Sequence, residues 1–222
     1  MTKEKNRISV DDAYALESPA DSIELYKTWA SSYDTEFIER EGYVLYLRVA
    51  ELLLERRAQI DGAVLDVGCG TGMVGASLRG GGIDVVDGID ISPEMLAEAG
   101  QKKTVNGAPV YHDLICADLT KTIAIPDKHY AALISAGTFT HGHLGPESLD
   151  ELWRVAAPGA PCVIGVRSTH YEAMGFAEKL AADVASGTIT EPQLVLVDHY
   201  LTDARNSKHA NDQAQIVVCE RK

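Results

Sequence analysis

The sequence predicts an α/β fold, a mostly parallel sheet with helices on both faces and an antiparallel strand near its C-terminal edge. Three observations carry this reading. Short apolar runs alternate with helix-periodic segments from about residue 63 to 186, the pattern of a parallel sheet covered on both sides. The first run, in "VLDVGCGTGMVG" at 64–75, reaches an aspartate and breaks into glycines before apolar residues resume. The last two apolar runs, 193–201 and 214–222, are joined by the polar TDARNSKHANDQ, which suits a hairpin-like return and not a crossover helix.

Element by element, residues 1–20 read as loosely ordered. A helix follows from 21, with Asp21 or Ser22 as its cap. Residues 43–58, "YVLYLRVAELLLERRA", form an amphipathic helix with apolar residues every three or four positions. Strands are expected at 63–68, 84–91, 111–118, 130–137 and 161–168, which with the closing pair makes seven. Helices are expected over 71–80, from Ser92-Pro93-Glu94 onward, over 146–157 and over 171–186. Ser92 is a good N-cap and Pro93 suits a first helical turn.

Composition narrows the function classes. A formal net charge of −13 over 222 residues repels phosphate backbones and anionic lipids, so neither nucleic acid nor a membrane surface is expected as a partner. No stretch approaches the ~18 consecutive apolar residues of a membrane helix. The N-terminal MTKEKNRISVDDAY lacks an apolar signal core, so a cytoplasmic protein is expected. Cys69, Cys116, Cys162 and Cys219 form no CxxC pair and sit in or beside apolar runs; buried reduced thiols are expected, without a bound metal. Oligomeric state is not legible.

The glycine loop points to a ligand. Gly68, Gly70 and Gly72 bare the backbone beyond the first strand, where ligands bind in open α/β sheets. The helix behind the loop offers free N–H groups and a positive dipole end. Gly70-x-Gly72-x-x-Gly75 also matches a dinucleotide fingerprint, which keeps a nicotinamide-dependent oxidoreductase as an alternative. Asp66 argues against it: a pyrophosphate repels a carboxylate two residues before the first glycine, whereas an ammonium group attracts one. Asp90 ends the second strand 18 residues after Gly72 and can accept bonds from a ribose diol. Asp118 ends the third and can read an adenine amino edge, or cap the next helix. Amine, diol and adenine without phosphate describe S-adenosylmethionine.

These residues resemble the class I S-adenosylmethionine-dependent methyltransferases. "VLDVGCGTG" is similar to their first motif, "GIDISPEML" to the second, and "ICADLT" with "YAALISAGTFTHGHL" to the third and fourth. "YKTWASSYD" resembles the N-terminal segment of the methyltransferase-11-like small-molecule group. "GTFTHGHLGPESLDELWRVAAPGA" resembles the Williams–Beuren-region methyltransferase-like proteins. The resemblance implies a Rossmann-like seven-stranded core over 59–222, with residues 1–58 as a helical cap over the cofactor. It implies Gly68, Cys69 and Gly70 around the methionine end, and Asp66 at the ammonium through water. It further implies Asp90 on the ribose with Ile91 beside the adenine, Asp118 and Leu119 on adenine, and Thr138 near the sulfonium. One departure bears on substrate. Ser135-Ala136-Gly137-Thr138-Phe139 stands where many amine and nucleobase methyltransferases carry (D/N)PP(Y/F), which disfavours adenine-N6 and glutamine-amide acceptors.

For the acceptor, a small molecule is expected. His141, in "TFTHGHLG", is the first candidate for a base or positioning group, with a backbone-bonded loop histidine as the plainer reading. His141 and His143 lack a third ligand at useful spacing, so no metal is expected. Arg167 could clamp an acceptor carboxylate or form an internal salt bridge. His170, Tyr171, His199 and Tyr200 lie near strand ends or on the penultimate strand. Tyr26, Trp29 and Tyr33 share one helix face at i, i+3 and i+7, as a core stripe or as a lid over the cofactor. A non-catalytic scaffold that retains the fold is the remaining alternative.

Overall fold

The computed structural model describes residues 10–16, 18–140, 144–201 and 209–222. Helices α1 (Val10–Tyr14) and α2 (Pro19–Tyr33) lead into a π-helix over Asp34–Glu39 and helix α3 (Leu45–Leu54). Alternation follows: β1 (Val64–Val67), α4 (Met73–Gly80), β2 (Val86–Asp90), α5 (Pro93–Gln101) and β3 (Leu114–Cys116). Next come β4 (Ala132–Phe139), α6 (Leu149–Val155), β5 (Pro161–Arg167), α7 (Ser168–Ala173) and α8 (Phe176–Ala185). Strands β6 (Gln193–Asp198) and β7 (Gln213–Glu220) close the chain.

The seven strands form one sheet in the order β3-β2-β1-β4-β5-β7-β6. Strands β1 to β5 pair in parallel. Strand β7 runs antiparallel to both neighbours, β5 and β6, so the expected hairpin folds back and inserts its second arm into the sheet. Strand order reverses between β1 and β4, and the crevice at that switch is where open α/β sheets bind ligands. β1 is buried along its whole length, as central parallel strands are. Its alternate side chains supply two cores. Val64 packs with Leu45, Val49, Val74 and Leu78 on one face; Leu65 and Val67 pack with Leu152, Trp153 and Phe176 on the other.

Local chemistry explains the boundaries. α2 starts two residues before the sequence suggested: Ser18, not Asp21 or Ser22, is the cap, accepting from the Asp21 backbone N–H, with Pro19 in the first turn. Ser92 caps α5 through the Met95 N–H, as expected. The single helix expected over 171–186 is two, because Gly175 adopts φ +78° between them. β3 keeps three of the eight expected residues, since Tyr111 turns inward to the core. A short helix, α1, forms inside the stretch read as loosely ordered. Cys69, Cys162 and Cys219 are buried free thiols, but Cys116 is exposed, because it ends β3, the sheet's edge strand. Among the described residues no helix is long and apolar enough to cross a membrane. Nor does any His, Cys, Asp and Glu group there suit a metal ion.

Candidate active site

A cavity of about 970 Å³, open mouth included, lies over the rim formed by the ends of β1, β2, β3 and β4. Its floor is the glycine loop. Gly68 and Gly70 sit at φ +66° and +51° and Gly72 at φ +93°, a region L side chains rarely adopt. The Gly68 and Cys69 N–H groups both donate to the Ile89 carbonyl, at 2.8 and 3.0 Å, which folds the loop across the end of β2. A Cβ on Gly68 would stand 2.0 Å from the Thr138 hydroxyl oxygen. That hydroxyl donates to the Val67 carbonyl at 3.1 Å, placing Thr138 on the cavity wall against the loop.

The three strand-end acids have different surroundings. Asp90 lines the cavity; its two oxygens accept from the Gly70 and Ser92 backbone N–H groups, each at 2.9 Å. Burial raises its pKa against these bonds. A carboxylate offers about four acceptor positions, more than the Gly70, Ser92 and Ile91 backbone bonds use. Asp118 also lines the cavity, but Thr120 bonds it through N–H and hydroxyl, and Lys121 pairs with it at 2.9 Å. Burial pushes its pKa up, and these partners outweigh it and hold the pKa below the usual value. Asp66 is fully buried and lies behind the loop, outside the cavity lining. Its Oδ2 accepts from Tyr111 at 2.6 Å and from the Gly75 N–H at 3.1 Å, while Oδ1 has no hydrogen-bond partner among the described residues. Burial, opposed by those two bonds, pushes its pKa up to about 7.

Tyr111 also accounts for the third glycine of the dinucleotide-like pattern. A Cβ on Gly75 would stand 2.4 Å from the Tyr111 ring and one on Gly72 2.7 Å from it. Those two glycines make room for a tyrosine, where a dinucleotide fingerprint uses them for close approach to a pyrophosphate and helix packing.

The N-terminal helices roof the cavity. Tyr26 and Tyr33 line it, whereas Trp29 between them is buried in the core, its indole N–H without a partner among the described residues. The stripe thus divides, with Tyr26 and Tyr33 facing the cavity and Trp29 in the core. Sequence reasoning missed Ser22, Ile38, Tyr43 and Tyr46, which line the cavity too. The Tyr43-x-x-Tyr46 pair at the head of α3 was the available signal. Asp34 at the end of α2 fastens this roof: it accepts from the Thr71 hydroxyl at 2.5 Å and pairs with Lys102 of the α5 C-cap.

Other candidates divide as follows. Gly68, Cys69, Gly70, Ile91, Leu119 and Thr138 line the cavity. Burial pushes the Cys69 thiol well above its ordinary pKa. Arg167 is outside the lining and pairs with Asp212 at 2.9 Å, the internal salt bridge of the two readings. His170 bonds the Leu144 carbonyl at 2.9 Å. His199 and Tyr200 are buried against Tyr43. His141 and His143 lie outside the described residues.

Residues 65–164 match the family described as "Methyltransferase domain". Human methyltransferase-like protein 27 is 27% identical over 169 residues, covering 73% of this chain and 64% of the human protein; the chain thus spans under two thirds of that relative. Two solved structures share the fold. The [4+2]-cyclase SpnF has a TM-score of 0.66 at 15% identity, over 93% of this chain and 97% of its own. Haemonchus contortus phosphoethanolamine N-methyltransferase 2, in complex with phosphomonomethylethanolamine and S-adenosylhomocysteine, has a TM-score of 0.63 at 12% identity, over 92% of this chain and 59% of its own.

Proposed function

We propose that this chain, whose residues 65–164 carry a methyltransferase domain, uses S-adenosylmethionine to methylate a small-molecule acceptor by direct displacement. One observation carries the reading: Asp90, at the end of β2, lines the cavity with its two oxygens held in place by the Gly70 and Ser92 N–H groups. A ribose diol takes such a pair. The donor set fits the rest of the cofactor. Gly68, Cys69 and Gly70 present bare backbone to the methionine end. Asp66, with its unpartnered Oδ1, is assigned to the ammonium through water. Ile91, Leu119 and Asp118 are assigned to adenine, and Tyr26 and Tyr33 to the roof. When bound, the cofactor supplies an electrophilic methyl group on a good leaving group.

The protein's own task is alignment and exclusion of water. Thr138 holds the wall beside Gly68, where the methyl group is assigned. The roof, fastened by Asp34 to Thr71 and Lys102, closes the cavity from above. Where an acceptor must lose a proton before attack, His141 is the base assigned from sequence. Arg167 could serve as a clamp only by leaving Asp212. SpnF favours keeping one alternative, since that fold also houses a cyclase.

Calorimetric titration with S-adenosylmethionine, S-adenosylhomocysteine and NAD tests the cofactor. Micromolar binding of the first two, with none for NAD, is expected. Binding of NAD alone would overturn the reading and restore the oxidoreductase. Cofactor binding without turnover on any acceptor favours the scaffold.

A further inference from the structure

Sheet order gives the cavity a direction. Asp90 ends β2 and Asp118 lies two residues beyond β3, the glycine loop follows β1, and Gly137 and Thr138 belong to β4. In the order β3-β2-β1-β4, the acids lie on one side of the loop and β4 on the other. The Tyr43 hydroxyl reaches the β4 side, where a Cβ on Gly137 would stand 2.9 Å from it. Phe37 links Tyr33 and Tyr43 at ring distances of 4.9 Å each, and Tyr46 stacks beside Tyr43 at 6.3 Å. Tyr33, Tyr43 and Tyr46 present this aromatic wall to the cavity.

We propose that the β4 side is the acceptor subsite, and that it takes an organic amine on an apolar, ring-bearing body without phosphate or carboxylate. This rests on the methyl-donor reading above.

Charge and chemistry both support it. Among the described residues, the charged lining side chains are Asp90 and Asp118, and no Lys, Arg or His joins them. Lys102 and Lys121, at the margin, already pair with Asp34 and Asp118. Arg167, at the end of the next strand, pairs with Asp212. Burial, then the negative fields of Asp34 and Glu39, raise the Tyr46 pKa. An anionic acceptor entering here meets phenol rings in a negative field, which is unfavourable. Aromatic faces attract a cation.

The transfer step balances without further groups. The lone pair of a neutral amine forms the N–C bond while the C–S bond breaks, and its electron pair stays on sulfur as a thioether. Positive charge moves from sulfur to nitrogen, so the site's net charge is unchanged. The new ammonium then loses its proton to water. A phenol or thiol must be ionised first, a step that a neutral amine does not need.

The test uses the full chain saturated with S-adenosylhomocysteine and four probes of one skeleton: 2-phenylethylamine, 4-ethylphenol, phenylacetate and 2-phenylethyl phosphate. Calorimetry is expected to show the amine binding about tenfold more tightly than either anion, the worth of one desolvated cation–π contact. Tyr46→Leu should erase that preference while S-adenosylhomocysteine still binds. With S-adenosylmethionine, methylation of the amine should accelerate with pH towards the ~10 of an alkyl ammonium, as the neutral form grows. Equal or tighter binding of an anion, or no preference for the amine, overturns the inference. Failure of S-adenosylhomocysteine to bind instead overturns the methyl-donor reading.

Discussion

Replacing Asp90 by alanine should weaken S-adenosylmethionine binding through a calculable loss. The carboxylate accepts from Gly70 and Ser92 at 2.9 Å each, and its remaining acceptor capacity is assigned to the ribose hydroxyls. Hydrogen bonds to a charged partner contribute about 1.5–3 kcal/mol each. That figure is already net of exchange with water, so the loss of even one such bond should cost about 1.5–3 kcal/mol, a roughly 10- to 150-fold rise in Kd. Part of that loss comes from a loosened loop, since the Gly70 N–H also loses its acceptor. Asp90→Asn separates the two effects: the amide oxygen can still take a backbone N–H, but the charge is gone. Calorimetry with S-adenosylhomocysteine, beside the melting temperature of each unliganded variant, reads both. A Kd within about twofold of the parent for both variants would refute the assignment of Asp90 to the ribose.

Further predictions follow from single contacts. Gly68→Ala sets a Cβ 2.0 Å from the Thr138 hydroxyl at φ +66°; cofactor binding should be lost and Tm should fall, with Gly68→Ala/Thr138→Ala recovering part of the Tm by removing the clash. Recovery of nothing would mean that backbone strain dominates. Asp34→Ala releases the roof from Thr71 and Lys102; hydrogen exchange over residues 19–39 should quicken about five- to tenfold, for about 1–1.5 kcal/mol of local stability, and unchanged exchange would show that packing alone holds the roof. His199 is buried with neither ring nitrogen hydrogen-bonded among the described residues, and burial lowers its pKa to about 4. The fold thus favours the neutral ring, and stability present above the unfolded value of ~6.5 is lost as pH falls towards 4. His199→Phe should escape about 3 kcal/mol of that acid loss, read as the difference between parent and variant in urea melts from pH 7 to 4. A constant difference across that range would show that His199 does not titrate in the fold.

The sheet was legible because its signals are local. Buried parallel strands read as unbroken apolar runs, and β1 ends where Asp66 and the glycines begin. Ser92 and Pro93 announce α5 by cap chemistry confined to four residues. Long-range contacts were hidden. Tyr111 reaches Asp66 across 45 residues of sequence, and its own neighbours made it look like the start of a strand. Tyr43 and Tyr46 read as part of an amphipathic helix, because only the packing of α3 on the sheet turns them towards β4. The stripe Tyr26, Trp29 and Tyr33 fixed a helix face but not how deep each ring lies within it. Gly175 was a visible break in the 171–186 pattern, outweighed by the apolar period around it.

Asp66 carries a consequence for how the pocket is filled. With its pKa pushed up to about 7, the carboxyl is shared between two protonation states at neutrality. Under the proposed assignment of the donor's ammonium to Asp66, binding favours the ionised state, so occupancy of the pocket should expel a fraction of a proton into solution. On that reading, protonation of this one buried carboxyl and binding of the donor oppose each other. The affinity of a ligand that itself neither gains nor loses charge near neutrality thereby becomes a function of the acidity around the protein.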